Sequence, residues 1–144
     1  MSHHYEHIHA EGNDPSFNMP DTAAIKVTAG RLVFASGVTA APVYHSHPHV
    51  AAEFDAIPEG AEAQAEMAMD NLEAVLRAAG GTLTDVIDLT RFIVATGTNQ
   101  DEINRVMARR MGDHRPASTS VEVVRLATDP RLVLELRAVA VVPE

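Results

Sequence analysis

The segment spanning residues 131–142 is the sequence feature that most constrains how this chain can fold. Its side chains alternate with the period of a β-strand, so successive residues point to opposite faces. One face consists of apolar residues, namely Leu132, Leu134, Leu136, Ala138 and Ala140. The other face is also apolar, apart from Glu135 and Arg137. Residues 86–95 are apolar on both faces as well, and such strands need cover on both sides of their sheet.

The remaining patterns predict two helices and further strands. Apolar residues recur at three- and four-residue spacing over residues 59–79 and 99–111, and Asn99 is expected to cap the second helix. Residues 24–28 and 31–36 are predicted to be two strands of a short hairpin. This order indicates the α+β class, with a single mixed sheet and two helices on one face. Because the helices cover one face only, the second apolar face predicts self-association.

The length of 144 residues suits one domain with its own core, which we place at residues 22–144. Residues 1–21 show no hydrophobic period and are predicted to be a flexible, histidine-rich arm. Its histidines are His3, His4, His7 and His9. The alternative is an arm that folds over a neighbouring subunit and donates a histidine.

Composition excludes several classes of function. The chain has no cysteine, so it has no disulfide framework, thiolate metal site or cysteine nucleophile. No apolar run approaches the ~18 residues of a membrane span, and no signal-peptide pattern is visible, so we expect a cytoplasmic protein without a membrane partner. The net charge of −9 argues against nucleic acid as a partner, because phosphate binding needs a basic face.

Residues 115–126 are predicted to be a loop, marked by Pro116, that runs into a strand. The loop places three hydroxyl groups at the strand entrance, on Ser118, Thr119 and Ser120. Glu135 adds a carboxylate, expected to be half-buried, on the following strand, and such hydroxyls and acids are typical parts of a small-molecule site. Glu135 and Ser118 are therefore the candidate catalytic residues, and Thr119 and Ser120 candidate substrate contacts. A structural ion pair of Glu135 with Arg137 is the alternative for the acid.

Arg91 is an unusual charge on an apolar strand face. The favoured interpretation is structural, with the guanidinium paired to an acidic residue of a helix. The functional alternative is that Arg91 holds an anionic substrate.

The sequence His45-Ser46-His47-Pro48-His49 lies within a long connection, at residues 38–58. In extended backbone its three imidazoles share one face, which would suit zinc with an activated water. An exposed loop, or a loop in which His45 and His47 contact substrate, explains the same pattern. We expect the substrate contacts, with no metal and no cofactor.

The chain resembles the RidA family, also called YjgF or UK114, over roughly residues 22–142. The motifs that carry the resemblance are residues 115–126 with the following strand, residues 32–37, residues 71–80 and Asn104. The resemblance implies a chorismate-mutase-like fold and a homotrimer with sites in the clefts between subunits. It also implies roles in the site for Glu135 and Asn104.

One position departs from the family pattern. Enamine and imine deaminases of the family carry an arginine two places after the proline, where it grips the substrate carboxylate, and this chain has Ser118 there. A serine brings no charge for that role. The family's early tyrosine falls at about Ala23. The resemblance therefore implies poor action on 2-iminopropionate, unless Arg91 or a histidine holds the carboxylate.

The expected function is hydrolysis or deamination of a small enamine, imine or related C–N metabolite, such as an aminomuconate, between subunits of a trimer. Glu135 would activate a water molecule, and the hydroxyls would hold the substrate. The alternative is a non-catalytic trimer of the same fold that binds a small molecule or a protein. A metalloenzyme built on the histidine loop is a third hypothesis.

Overall fold

Six strands and two α-helices organise the part of the chain that the structure describes, which is residues 4–144 of a computed structural model. In chain order they are β1 (Tyr5–Ile8), β2 (Ala24–Val27), β3 (Arg31–Phe34), α1 (Ala61–Ala78), β4 (Val86–Val94), α2 (Thr96–Met111), β5 (Ala117–Val123) and β6 (Leu134–Val142). Two short 3-10 helices lie at Ala51–Phe54 and Leu83–Asp85.

The main sheet has the strand order β3-β6-β4-β5. β4 and β5 run parallel because α2 connects them, whereas β6 pairs antiparallel with both β3 and β4. The prediction of an α+β fold with a mixed sheet is confirmed. In this strand order β5 and β6 are not neighbours, since β4 lies between them.

Both helices pack on the same face of the main sheet, as predicted. The core between them contains side chains from α1, α2, β4 and β6, among them Leu72, Leu76, Ile103, Val106, Leu89, Ile93, Leu134 and Leu136. Each of these residues is almost fully buried, so this layer supplies most of the hydrophobic stabilisation of the fold.

The second face of the main sheet is partly covered by the chain itself. β1 and β2 form a separate antiparallel sheet, which packs Tyr5 and Ile25 against Val139, Val141 and Ile87. Residues of the 38–58 connection cover another part, where buried Phe54 belongs to a cluster that includes Phe92, Val94 and Val123. Large apolar side chains nevertheless remain exposed on this face, on Leu32, Phe34 and Val121.

Two predictions about the N-terminal part are wrong. Tyr5–Ile8 form a strand rather than part of a flexible arm, because they pair with Ala24–Val27 in four-residue register. The predicted hairpin does not form, since β2 pairs with β1 whereas β3 pairs with β6 at the edge of the main sheet. His3 lies outside the described residues.

Local geometry adds a register shift in β4 and corrects two details of the second helix. The register of β4 shifts between Val86 and Asp88, so Val86 joins the helix-facing core and Ile87 the opposite face. α2 begins at Thr96. The side-chain amide of Asn99 donates to the Val94 carbonyl over 2.7 Å instead of capping the helix.

No helix within residues 4–144 is long and apolar enough to cross a membrane.

Candidate functional site

A cavity of about 500 Å³ lies between the helix-facing side of β4 and β5, the side of α2 and the segment that precedes β2. Its polar lining consists largely of Asp21, Arg91, Asn104, Arg115, Ser118 and Ser120, with Gln100 beside them. The remaining wall is apolar and includes Leu89 and Met107. A concave space with an apolar wall and a few convergent polar groups is typical of a site for a small molecule.

Arg91 is the central polar residue of this cavity. Its Nε donates to Ser120 Oγ over 2.8 Å, and its Nη1 donates to Asn104 Oδ1 over 2.7 Å. The predicted ion pair with a helix acid is wrong, because the side-chain partner on α2 is an amide oxygen. These bonds use two of the five N–H donors of a guanidinium, so Arg91 keeps donors for a ligand.

The Arg91 side chain is half-buried and has the Asp21 carboxylate nearby. Burial lowers the pKa of Arg91, and the nearby Asp21 carboxylate acts in the opposite direction. The guanidinium stays protonated because its ordinary pKa is far above neutral. The remaining donors of this half-buried cation suit an anionic ligand group, and the Asp21 carboxylate offsets part of its charge.

The three consecutive hydroxyls of β5 do not act as one group. They lie within the strand rather than in a loop before it, so their side chains alternate between the two faces. Ser118 and Ser120 pair in register with Leu89 and Arg91 and line the cavity. Thr119 pairs with Thr90 and belongs to the opposite face.

Arg115 and Asp21 are cavity residues that sequence reasoning missed. Arg115 donates from Nε to the Met19 carbonyl over 2.9 Å and from Nη1 to the Gly112 carbonyl over 2.6 Å. It thereby attaches the segment before β2 to the end of α2. Its position next to Pro116 was the available signal for Arg115, whereas Asp21 carries no sequence signal.

Glu135 lies on the sheet face opposite the cavity. It pairs in register with Phe92, whose side chain points away from α1 and α2. The carboxyl group packs against Gly37, where a Cβ atom would collide with it. Burial raises the pKa of Glu135. Within one chain, Glu135 and Ser118 therefore cannot share a site.

The three histidines of the loop converge, but not on this cavity. Ring centroids are 4.8 Å apart for His45 and His47, 5.1 Å for His45 and His49, and 4.9 Å for His47 and His49. Neither His45 nor His47 lines the cavity that contains Arg91. Their role as substrate contacts stays a prediction.

Comparisons with known proteins agree on one family. The family model described as Endoribonuclease L-PSP matches residues 21–142. A protein of Escherichia coli (strain K12) with the name "Putative reactive intermediate deaminase TdcF" is 32% identical over 117 residues, which cover 78% of this chain and 82% of TdcF. A RutC family protein of Pyrococcus horikoshii is 35% identical over 77 residues, 54% of this chain and 59% of that protein.

A solved structure supports the same assignment. The Rid-family protein YyfB from Yersinia pestis, described as having unknown function, superposes with a TM-score of 0.74 and 26% identity, covering 96% of this chain and 99% of that one. The match of the family model extends from Asp21, which lines the cavity, to the end of β6. The chain belongs to the Endoribonuclease L-PSP family, which is the RidA/YjgF/UK114 family.

Proposed function

We propose that this protein hydrolyses a small enamine or imine, or a related C–N metabolite, that carries a carboxylate. The observation that carries the proposal is the placement of Arg91 in the cavity, hydrogen-bonded to Ser120 and Asn104. The name of TdcF, a relative with 32% identity, supports deamination as the reaction class.

Arg91 binds the substrate carboxylate, which Ser118 cannot do because a serine side chain carries no charge. It lies on β4, whereas Ser118 lies on the adjacent strand β5. Neighbouring strands are about 4.8 Å apart, so the clamp is displaced by about one strand spacing. The substrate carboxylate is therefore held at a different distance from the reacting C=N group. We propose that this distance suits a longer substrate, such as an aminomuconate, better than 2-iminopropionate.

Ser118 and Ser120 contribute hydroxyls at the floor of the cavity beside Arg91. In this position they hold the polar group of the substrate and orient its C=N carbon. Asn104 has a supporting role, because its side-chain oxygen fixes the guanidinium of Arg91.

Glu135 completes the site from a second copy of the chain. Its carboxyl group faces away from the cavity of its own chain, so only a neighbouring subunit can bring a Glu135 to Ser118 and Arg91. Exposed Leu32 and Phe34 on the Glu135 side of the sheet provide an apolar surface for that assembly, which we propose is a trimer.

The chemistry assigned to Glu135 is proton transfer. As water adds to the C=N carbon of an imine, or of the imine tautomer of an enamine, the carboxylate accepts a proton from the water and passes it to the nitrogen. The hydroxyl proton of the resulting carbinolamine then reaches the nitrogen through the same carboxylate as the C–N bond breaks. The products are a carbonyl compound and ammonia. A carboxyl whose pKa is raised by burial is a better match for this role near neutral pH than an ordinary glutamate.

The test is ammonia release from 2-aminomuconate and from 2-iminopropionate by the native chain. We expect a higher kcat/KM for the longer substrate. Arg91→Met should lose about tenfold to a hundredfold in kcat/KM, since the proposed charge-assisted hydrogen bond to the substrate carboxylate is removed. Arg105→Met is the matched control, because Arg105 is an exposed arginine of the same helix as Asn104. Its kcat/KM should equal that of the native chain.

Two more variants separate the enzyme from a binding protein of the same fold, which the serine at position 118 favours. Glu135→Gln should abolish ammonia release while the assembly stays intact. Ser118→Arg should shift preference toward 2-iminopropionate, because it moves the cation back to β5. Absence of ammonia release from both substrates by the folded native chain and by Ser118→Arg would overturn the proposed reaction.

A further inference from the structure

The histidine loop, which is the segment of residues 45–49, forms a second cluster of chemically capable side chains. We propose that His45, His47 and His49 bind a divalent transition metal of the zinc class, with one coordination position open. This inference does not depend on the proposed deamination, since none of the three histidines lines the cavity that contains Arg91.

The distances between the imidazoles carry the proposal. One ring nitrogen from each of the three residues lies within 4.8 Å of the other two. In a tetrahedral zinc site with Zn–N bonds of about 2.0–2.1 Å, ligand nitrogens are roughly 3.3 Å apart. The three nitrogens therefore need to close by about 1.5 Å or less. Rotation of the exposed side chains of His47 and His49 can supply that movement.

His45 is already prepared as a ligand. Its Nδ1 lies 2.8 Å from the carbonyl oxygen of Pro42, and a carbonyl can only accept. Nδ1 therefore carries the proton, and Nε2 offers its lone pair to a metal. A hydrogen bond from the second ring nitrogen to a backbone carbonyl is the usual way in which proteins orient a metal-binding histidine.

The 3-10 helix Ala51–Phe54 holds the loop in this arrangement. The Glu53 carboxylate accepts from the backbone N–H of Ser46, at 3.2 Å and 3.3 Å, and from its hydroxyl at 3.0 Å. Phe54, which is 1% exposed, packs its ring against His45 at 5.0 Å and His49 at 5.3 Å. The backbone between the first two ligands is thus fixed, and an apolar ring closes one side of the cluster.

The ligand set determines which ions the site would take. Three imidazoles suit zinc, cobalt, nickel and copper, whereas magnesium and calcium prefer oxygen ligands. The net charge of −9 favours the approach of cations in general, so selectivity must come from the nitrogen ligands. Three protein ligands leave a fourth tetrahedral position for water or another small molecule.

The experiment is calorimetric titration of the untagged full chain, stripped with a chelator, with zinc chloride and separately with magnesium chloride. We expect saturation at one zinc per chain and no saturable magnesium binding. His47→Ala and His49→Ala should each weaken zinc binding by at least about tenfold, since each removes a ligand. Both residues are exposed, so the variants should keep the native circular dichroism spectrum.

His9→Ala is the matched control, because His9 is an exposed histidine outside the loop. It should bind zinc as the native chain does. Cobalt gives an independent measurement, since a tetrahedral nitrogen site produces intense visible absorption that His47→Ala should remove. The proposal is overturned if the native chain shows no saturable zinc binding, or if His47→Ala and His49→Ala bind zinc as tightly as His9→Ala.

Discussion

Glu135 is a half-buried carboxyl group whose pKa is raised by burial, and this makes its ionisation unfavourable for folding. The unfolded chain releases this proton near the ordinary glutamate pKa of about 4.3, whereas the folded chain releases it at higher pH. The folded state therefore binds more protons in that window, and stability falls as pH rises through it. Above the pKa of the folded state, the full loss of stability caused by ionising the buried carboxyl group remains.

We accordingly expect Glu135→Gln to raise the free energy of unfolding at neutral pH, because glutamine cannot ionise. The difference from the native chain should shrink as pH is lowered to about 4, where the native carboxyl is also largely protonated. Urea denaturation of both proteins across this range measures it. A glutamine variant that is less stable at neutral pH by an amount independent of pH would contradict the burial argument.

The same residues show what a sequence can and cannot reveal about the site. Arg91 is recognisable as a charge on an apolar strand face, and the family motif identifies Glu135, Asn104 and Ser118. Their spatial grouping was not predictable. It depends on β4 lying between β5 and β6, and the order of strands in a sheet is set by long-range pairing. Thr119 was misplaced because a strand that begins at Ala117 separates adjacent hydroxyls.

At the scale of elements, the contact between α1 and α2 is reinforced by a cluster of ion pairs around Arg110. Its guanidinium donates to Glu66, Asp70 and Glu73 of α1, each over 2.9 Å. The Arg110 side chain is 17% exposed. Arg109 bonds to Glu66 over 2.7 Å, but its side chain is 56% exposed.

We expect Arg110→Met to lower the free energy of unfolding by about 1–3 kcal/mol, because it leaves three carboxylates close together without their shared cation. Arg109→Met removes one exposed pair and should cost less than about 1 kcal/mol. Urea denaturation at neutral pH compares them. Equal losses would mean that burial of Arg110 adds nothing to its ion pairs.

The strongly periodic elements were predictable to within a few residues. Residues 59–79 correspond to α1 (Ala61–Ala78), and residues 86–95 correspond to β4 (Val86–Val94). The short strand β1 was missed because its four residues have no apolar alternation, and only pairing with β2 makes them a strand. The shift in β4 was likewise invisible, since a bulge depends on the partner strand.

At the scale of the whole molecule, a single chain covers the apolar second face of the main sheet only in part. The sequence predicted that this face needs cover, and the sheet formed by β1 and β2 supplies part of it. Phe34 remains 68% exposed and Leu32 52% exposed on the same face. Adjacent exposed apolar side chains of this size are typical of a surface that joins subunits.

The last prediction concerns Phe34→Lys. The substitution costs a single chain little because Phe34 is mostly exposed, but in an assembly it introduces a charge into an apolar interface. We expect sedimentation velocity to find three chains in the native particle and one in the variant. Ala74→Lys is the control, since it adds the same charge at an exposed position of α1, and it should keep the native mass.

Ammonia release should be lost when the assembly dissociates, because the proposed site needs Glu135 from one copy and Arg91 from another. Phe34→Lys should therefore lose activity although both residues are intact. A variant that is monomeric and fully active would show that Glu135 of a second copy is not required. A variant that remains trimeric would place the interface elsewhere, and the exposed face around Phe34 would then need a different partner.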